Sequence, residues 1–351
     1  MSEADTIVVD TATRIFQDLG DPRTINSAAD DAWRAPLWDA LTQSGLTLAW
    51  VPEDKGGAGA SLADGFAVLR VAGAFAVPVP LAETLVAGWL LARVGLVAPA
   101  GAMTVAPMRP RDRVSLGADG RLSGTASRVA FASEADHIAV AADGPVGPVV
   151  ALVERGACAV TAGRNMAGEA QDKITFDGVA PVAVAALGGT DDLMTMGAAV
   201  RATQMAAALQ SLLDISVGYA QERVAFGRPI AKFQAIQHDL ARLAGEVAAA
   251  TAAAGSAAVA IEGAKAFGEA VFLEAASAKI RAGEAANDGA LIAHQVHGAI
   301  GFTQEHVLHR FTHRLWSWRD DFGGEAAWAV RLGEAICAGG ADALWPTITA
   351  A

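Results

Sequence analysis

The chain is 351 residues long and carries 26 Lys and Arg against 38 Asp and Glu, a formal charge of −12. Hydrophobic residues make up 53% and charged residues 18%, which excludes a disordered chain, since disorder requires too little apolar surface to build a core. The acidic balance gives no electrostatic grip on a phosphate backbone, so no nucleic acid is expected, although one anionic ligand can still be held by local arginines.

The first residues, MSEADTIVVD, place acidic groups where a secretory signal needs a basic start and an apolar run, so a cytoplasmic location is expected. From about residue 30 to 96 the pattern is helical, with Trp33, Leu37, Trp38 and Leu41 at helical spacing before Gly45. The run Val51-Pro52-Glu53-Asp54-Lys55-Gly56-Gly57-Ala58-Gly59 reads as a loop, and Ser61 can cap the next helix. Its glycine intervals are wrong for a dinucleotide fingerprint, and no βαβ unit surrounds it. From about residue 102 the texture becomes β. Runs at 113–116, 137–140, 149–153 and 173–176 alternate or are β-branched, and Gly117, Gly120, Gly144 and Gly178 punctuate them. A small barrel or sandwich is expected there.

From residue 191 onward the chain reads as long helices, with stops at Gly227-Arg228-Pro229, between Gly263 and Gly268, and between Gly298 and Gly301. Four such helices pack most simply as a bundle. The expected fold class is therefore α+β, mainly α: a helical domain over 1–101, a small β-domain over 102–187 and a four-helix bundle over 188–351. The mean hydropathy of +0.33 is high. The longest apolar runs are interrupted by charge or proline, or are mostly alanine (247–261), whereas a membrane span needs about 20 apolar residues; no membrane span is expected. Cys158 and Cys337 form neither a disulfide framework nor a metal cluster, and Cys337 is expected as a small core residue.

Two segments carry candidate chemistry. Tyr219-Ala220-Gln221-Glu222-Arg223-Val224-Ala225-Phe226-Gly227-Arg228-Pro229-Ile230 ends one helix with an arginine and a tight turn, and the next restarts with Phe233-Gln234-Ala235-Ile236-Gln237. A guanidinium there offers a planar fork to phosphate oxygens; on spacing alone a plain helix–helix turn with Arg223 paired to Glu222 or Asp239 is favoured. Downstream, Gln295-Val296-His297-Gly298-Ala299-Ile300-Gly301-Phe302-Thr303 combines two glycines, which let a backbone approach a ligand, with a donor–acceptor glutamine. Here too an ordinary loop, with Thr303 capping the next helix, is the alternative. His306, His309 and His313 recur at helical spacing, but no acidic base sits among them, and a solvated or interface helix is favoured over a metal site. Trp316, Trp318 and Trp328 fit buried packing better than a substrate wall. No Gly-x-Ser-x-Gly elbow and no Gly-Lys-Ser/Thr phosphate loop occurs.

Taken in order, Arg-x-x-Phe-Gly-x-Pro-Ile-x-x-Phe-Gln-Ala-x-Gln followed by Gln-x-x-Gly-x-x-Gly-Phe resembles the acyl-CoA dehydrogenase family. The loop at 51–59, the stretch Pro78-Val79-Pro80-Leu81-Ala82-Glu83-Thr84 and the run from Leu122 through Asp136 are similar to it as well. The resemblance implies the same three-part order and FAD as cofactor, with the flavin ring between β-domain and bundle and the adenine end reaching a neighbouring subunit. It assigns Arg223, Phe226, Gln234, Gln295, Gly298 and Gly301 to that end. It also implies α,β-desaturation of an acyl-CoA thioester, an electron-transfer flavoprotein as electron acceptor, and an oligomer. Two departures stand out. The family's Tyr-Glu-Gly-Thr base pattern is replaced by Asp321-Phe322-Gly323-Gly324-Glu325, with Gly323 at the base position, and the alternative base position near the start of the bundle aligns with Val200 beside Arg201. Asp320, Asp321 and Glu325 are candidates for a relocated base, Asp321 and Glu325 foremost; capping the last helix and pairing with Arg319 or Arg314 is the other reading. Secondly, Ala102-Met103-Thr104-Val105-Ala106-Pro107-Met108 stands where the family's Thr-Glu-Pro-x-x-Gly-Ser-Asp run is expected.

Base-less chains of this look resemble the shorter subunits of heteromeric bacterial dehydrogenases, in which a larger acyl-CoA dehydrogenase subunit supplies the base and which often act on bulky substrates such as steroid side chains. A self-sufficient homo-oligomer, a non-catalytic scaffold subunit, and a flavin monooxygenase or oxidase of the same fold are the alternatives.

Overall fold

The computed structural model describes residues 3–189 and 191–349. Five helices come first: α1 (Glu3–Leu19), α2 (Pro22–Ser27), α3 (Arg34–Gln43), α4 (Leu62–Phe75) and α5 (Leu81–Arg93). Local chemistry fixes their ends. Asp21 accepts hydrogen bonds from the Arg23 and Thr24 amides, with Pro22 in the first turn of α2. Ser61 and Asp64 form a reciprocal capping box on α4. Helix α3 stops just before Gly45, which is left-handed at φ +71°. Helix α5 is buried from Leu81 through Leu91, so it runs through the core rather than along the surface.

Eight strands follow: β1 (Met103–Ala106), β2 (Arg113–Leu116), β3 (Leu122–Ala130), β4 (His137–Asp143), β5 (Pro148–Glu154), β6 (Ala159–Thr161), β7 (Gln171–Val179) and β8 (Ala183–Ala186). They form one hydrogen-bonded path, β6-β7-β3-β2-β4-β5-β8, with β1 parallel to β4. Where a small barrel or sandwich is expected from the sequence, all eight strands belong to one mixed hydrogen-bonded sheet, to which β1 is added by its parallel pairing with β4. Strand β3 loses register with β7 between Ala126 and Val129, and Arg128 in that interruption adopts φ +55°. The irregularity turns the Arg128 side chain out of the ladder.

The remainder is helical: α6 (Asp191–Glu222), α7 (Gln234–Gly263), α8 (Glu269–His297), α9 (Leu308–Asp320), α10 (Glu325–Gly339) and α11 (Ala341–Thr349). A two-strand ribbon, β9 (Val224–Ala225) and β10 (Arg228–Pro229), links α6 to α7. Helix α7 is long and apolar enough to cross a membrane by length and composition, which the alanine-rich run did not suggest. It packs on α6 and α8 through Leu243, Val247, Ala250, Ala254, Ala257 and Ile261, alternate steps of three and four that hold one face inward. Cys337 is exposed on α10, contrary to the expectation of a core position, while burial pushes the half-buried Cys158 thiol up to about 11.

Candidate functional site

The bundle's up-down-up path brings the end of α6, the start of α7 and the end of α8 together. Tyr219 stacks on His297 with ring centres 4.4 Å apart and donates to the His297 carbonyl at 3.3 Å. The segments bearing Arg223, Phe226 and Gln234, and Gln295, Gly298 and Gly301, therefore share one end of the bundle. Arg223, Gln234 and Gln295 are exposed, and Arg223 makes no ion pair among the described residues, so neither Glu222 nor Asp239 claims it. Phe226 sits at the ribbon's turn with φ +53°, next to Gly227 at φ +78°, and is 95% exposed. Two successive positive φ values define the tight turn that suits this strand twist, but a phenylalanine there costs free energy and leaves a whole aromatic face uncovered. Among the described residues its one ring neighbour is Phe233, edge-on at 6.2 Å, and the Arg228 guanidinium lies 4.3 Å from the Phe233 ring. Gly298 has φ +65° and open space where a Cβ would point, whereas a Cβ on Gly301 would come within 2.9 Å of His297 Cβ. Gly298 can admit a close ligand; Gly301 serves internal packing. Thr303 bonds back to the Ile300 carbonyl instead of capping α9. This end offers an unpaired cation, an uncovered aromatic and an exposed backbone, a set able to hold an anionic group joined to a planar ring.

The loop after α9 is different in character. Asp321 is buried, and its Oδ2 accepts from Arg201 Nε at 3.0 Å and lies 2.9 Å from Nη2; its Oδ1 accepts from Gln171 Nε2 at 3.3 Å. Arg201, on α6, also pairs with Glu83 of α5 and donates to Gln204 at 2.6 Å. Burial raises the pKa of both Glu83 and Asp321, and Arg201 opposes it. Burial pulls the Arg201 guanidinium down, but the two carboxylates outweigh it and hold it above its ordinary value. Lys279, on α8, is 0% exposed and donates to the carbonyls of Trp318 and Arg319 at 2.9 and 2.8 Å; burial brings it down to about 7. Glu325 pairs with Arg319, whose hydrogen bonds outweigh partial burial and hold that carboxyl below its usual range. Gly323 has φ +91°, and a Cβ there would face Trp328 Nε1 at 3.1 Å. Both foremost carboxylates are thus occupied by arginines.

Sequence reasoning missed Glu83, Arg128, Glu169, Gln171 and Lys279, and expected Asp321 to pair with Arg314 or Arg319, not Arg201. Arg314 instead pairs with buried Glu169 at 2.8 Å. These partners lie up to 150 positions apart, so no local spacing announces them. His306 lies before α9, tilted against His297 at 4.8 Å, while His309 and His313 meet edge-on at 5.8 Å. Trp318 and Trp328 are buried, and Trp328 Nε1 donates to the Phe322 carbonyl at 2.9 Å.

The family model "Acyl-CoA dehydrogenase, C-terminal domain" matches residues 190–317. The chain is similar to acyl-CoA dehydrogenase IpdE2 of Mycobacterium tuberculosis, 30% identical over 82% of this chain and 82% of that protein. It is also similar to IpdE2 of Mycolicibacterium smegmatis, 29% identical over 90% and 93%. Among solved structures, a chain of the ChsE4-ChsE5 complex from Mycobacterium tuberculosis superposes with TM-score 0.84 at 27% identity, covering 96% of this chain and 98% of that one.

Proposed function

The chain belongs to the acyl-CoA dehydrogenase family, and we propose that it acts there as the base-free subunit of an unlike pair. In this reading it contributes the adenosine end of an FAD site, and a larger subunit of the same fold contributes the base. When bound, FAD supplies the acceptor for the hydride leaving the β-carbon of an acyl-CoA thioester. Arg223 neutralises pyrophosphate charge, Phe226 gives the adenosine portion an apolar face, Gln295 and Gln234 offer hydrogen bonds, and Gly298 clears the approach. An electron-transfer flavoprotein fits as the onward acceptor, and a pair of unlike chains agrees with the similarity to the ChsE4-ChsE5 complex.

The observation that carries this reading is the state of Asp321. A general base must reach the α-proton with a free lone pair at hydrogen-bond distance. Both oxygens of Asp321 are engaged inside the protein, by Arg201 and by Gln171. Of the two foremost carboxylates, Asp321 is therefore not free to act and Glu325 is paired with Arg319, while the Arg223–Phe226 end stands open.

The test is flavin stoichiometry by visible absorption. The chain purified alone is expected to hold no FAD. Co-expressed with a larger homologous subunit, it is expected to give one FAD per unlike pair, bleached by an acyl-CoA. A full complement of FAD on the lone chain, bleached by an acyl-CoA, overturns the reading in favour of a homo-oligomer.

A further inference from the structure

We propose that the crevice between strands and bundle in this chain is sealed by its own side chains, so that the tricyclic ring of a shared flavin lies outside it. The inference rests on the reading above, and it concerns the end of the flavin that the reading leaves unassigned.

Four direct links close the crevice. Arg128, thrown outward by the break in β3, reaches Asp320 at the end of α9 at 3.1 Å and donates to Gln171 Oε1 at 3.1 Å. Gln171 in turn donates to Asp321 at 3.3 Å. Glu169, just before β7, holds Arg314 at 2.8 Å. The amide of Phe322 donates to the Met108 carbonyl at 3.0 Å. An aromatic ring placed between two walls needs roughly 3.5 Å of contact distance on each side, so about 7 Å between the walls. Contacts of 2.8–3.3 Å leave no such layer.

Two of the links, Gln171–Asp321 and Glu169–Arg314, are also hard to release, whereas the Arg128–Asp320 pair is partly exposed. Glu169, Gln171, Arg314 and Asp321 are buried, so parting any pair strands a charge or an amide away from water. Behind them, Arg201 and Glu83 grip Asp321 from α6 and α5, and Lys279 holds the last carbonyls of α9. The crevice is thus braced from both sides. Two cavities lie beside the links, each touching the strand region and the bundle: about 660 Å³ beside Glu169 and Arg314, and about 400 Å³ beside Pro107 and Pro110, the latter lined also by Arg109, Asp112, Arg113, Asp143, Asp191 and Arg331. The first is lined by Arg34, Arg164, Arg310 and Arg314 with Asp30, Asp31, Glu134 and Glu169, a polar surface unlike a flavin-ring wall.

Hydrogen exchange read by mass spectrometry separates the outcomes. In the chain alone, residues 126–131 and 318–324 are expected to exchange slowly, and Arg128→Ala to speed both by tenfold or more. Fast exchange in the unaltered chain overturns the seal. In the assembly that takes up FAD, adding FAD to the apo form is expected to protect 223–230 and 295–303 of this chain and leave 126–131 unchanged. Protection of 126–131 overturns the seal. Absence of protection at 223–230 and 295–303 overturns the functional reading instead. Flavin content is expected to be the same in Arg128→Ala; a loss of flavin means that Arg128 faces the ring and refutes the proposal.

Discussion

Lys279 has no exposed surface, and among the described residues its ammonium donates to the carbonyls of Trp318 and Arg319 alone. Burial lowers its pKa from 10.5 to about 7, with Arg201 adding to the effect. Between those two values the unfolded chain binds a proton that the folded chain sheds. Stability therefore rises with pH across that interval and is flat below it as far as this group is concerned. The interval is cleanest from pH 7 to 9, because the raised Cys158 thiol works in the opposite sense above its ordinary value of 9.0. Thermal unfolding is expected to show a gain on the order of 1–2 kcal/mol from pH 7 to 9 in the unaltered chain. Lys279→Met is expected to lose that slope while becoming less stable overall, since two buried carbonyls lose their donor. Equal slopes in the two proteins would sink the assignment.

At the scale of elements, the loop after α9 is seated by a missing side chain. Gly197 on α6 faces the Phe322 ring, and a Cβ there would fall 2.2 Å from the nearest ring carbon. In an exposed helix, glycine to alanine gains up to about 1 kcal/mol. Here the clash decides the sign, because Phe322 is buried at φ +55° and has nowhere to retreat. Gly197→Ala is expected to destabilise by about 1–3 kcal/mol in denaturant unfolding; a neutral or stabilising result would mean that the loop is free to move. Much at this scale was legible beforehand. The β runs, the Ser61 cap and the three helix stops in the bundle follow from periodicity and turn chemistry, which are local. What could not be read is long-range. Strand β1 joins β4 across intervening strands, Glu83 meets Arg201 118 positions away, and Arg128 points at α9 only because β3 slips register. Glu325 beside Arg319 was foreseen because six positions separate them; Asp321 beside Arg201 was not. The exposed face of α10 placed Cys337 outside for the same reason: composition marks a helix, and tertiary contact decides which side is buried.

For the whole molecule, the two ends of the site differ in what they ask of a partner. Along the crevice the buried charges of Glu169, Arg314, Asp321 and Arg201 are paired within the chain. The bundle end leaves a strained phenylalanine, an unpaired arginine and an open glycine in water, and exposed aromatics are enriched where interfaces form. Such strain persists only where something outside the isolated fold gives it a use. Phe226→Ala tests this asymmetry. Because Phe226 is 95% exposed, its removal is expected to change the stability of the chain alone by no more than about 0.5 kcal/mol. The loss of an aromatic contact at a shared site is expected to weaken flavin retention in the assembly by about tenfold, a step of about 1.4 kcal/mol. The readout is flavin released on gel filtration, beside the melting temperature of the unpartnered chain. A fall in chain stability with flavin unchanged would make the ribbon part of the core; unchanged stability with lost flavin would make it the surface through which one chain completes another.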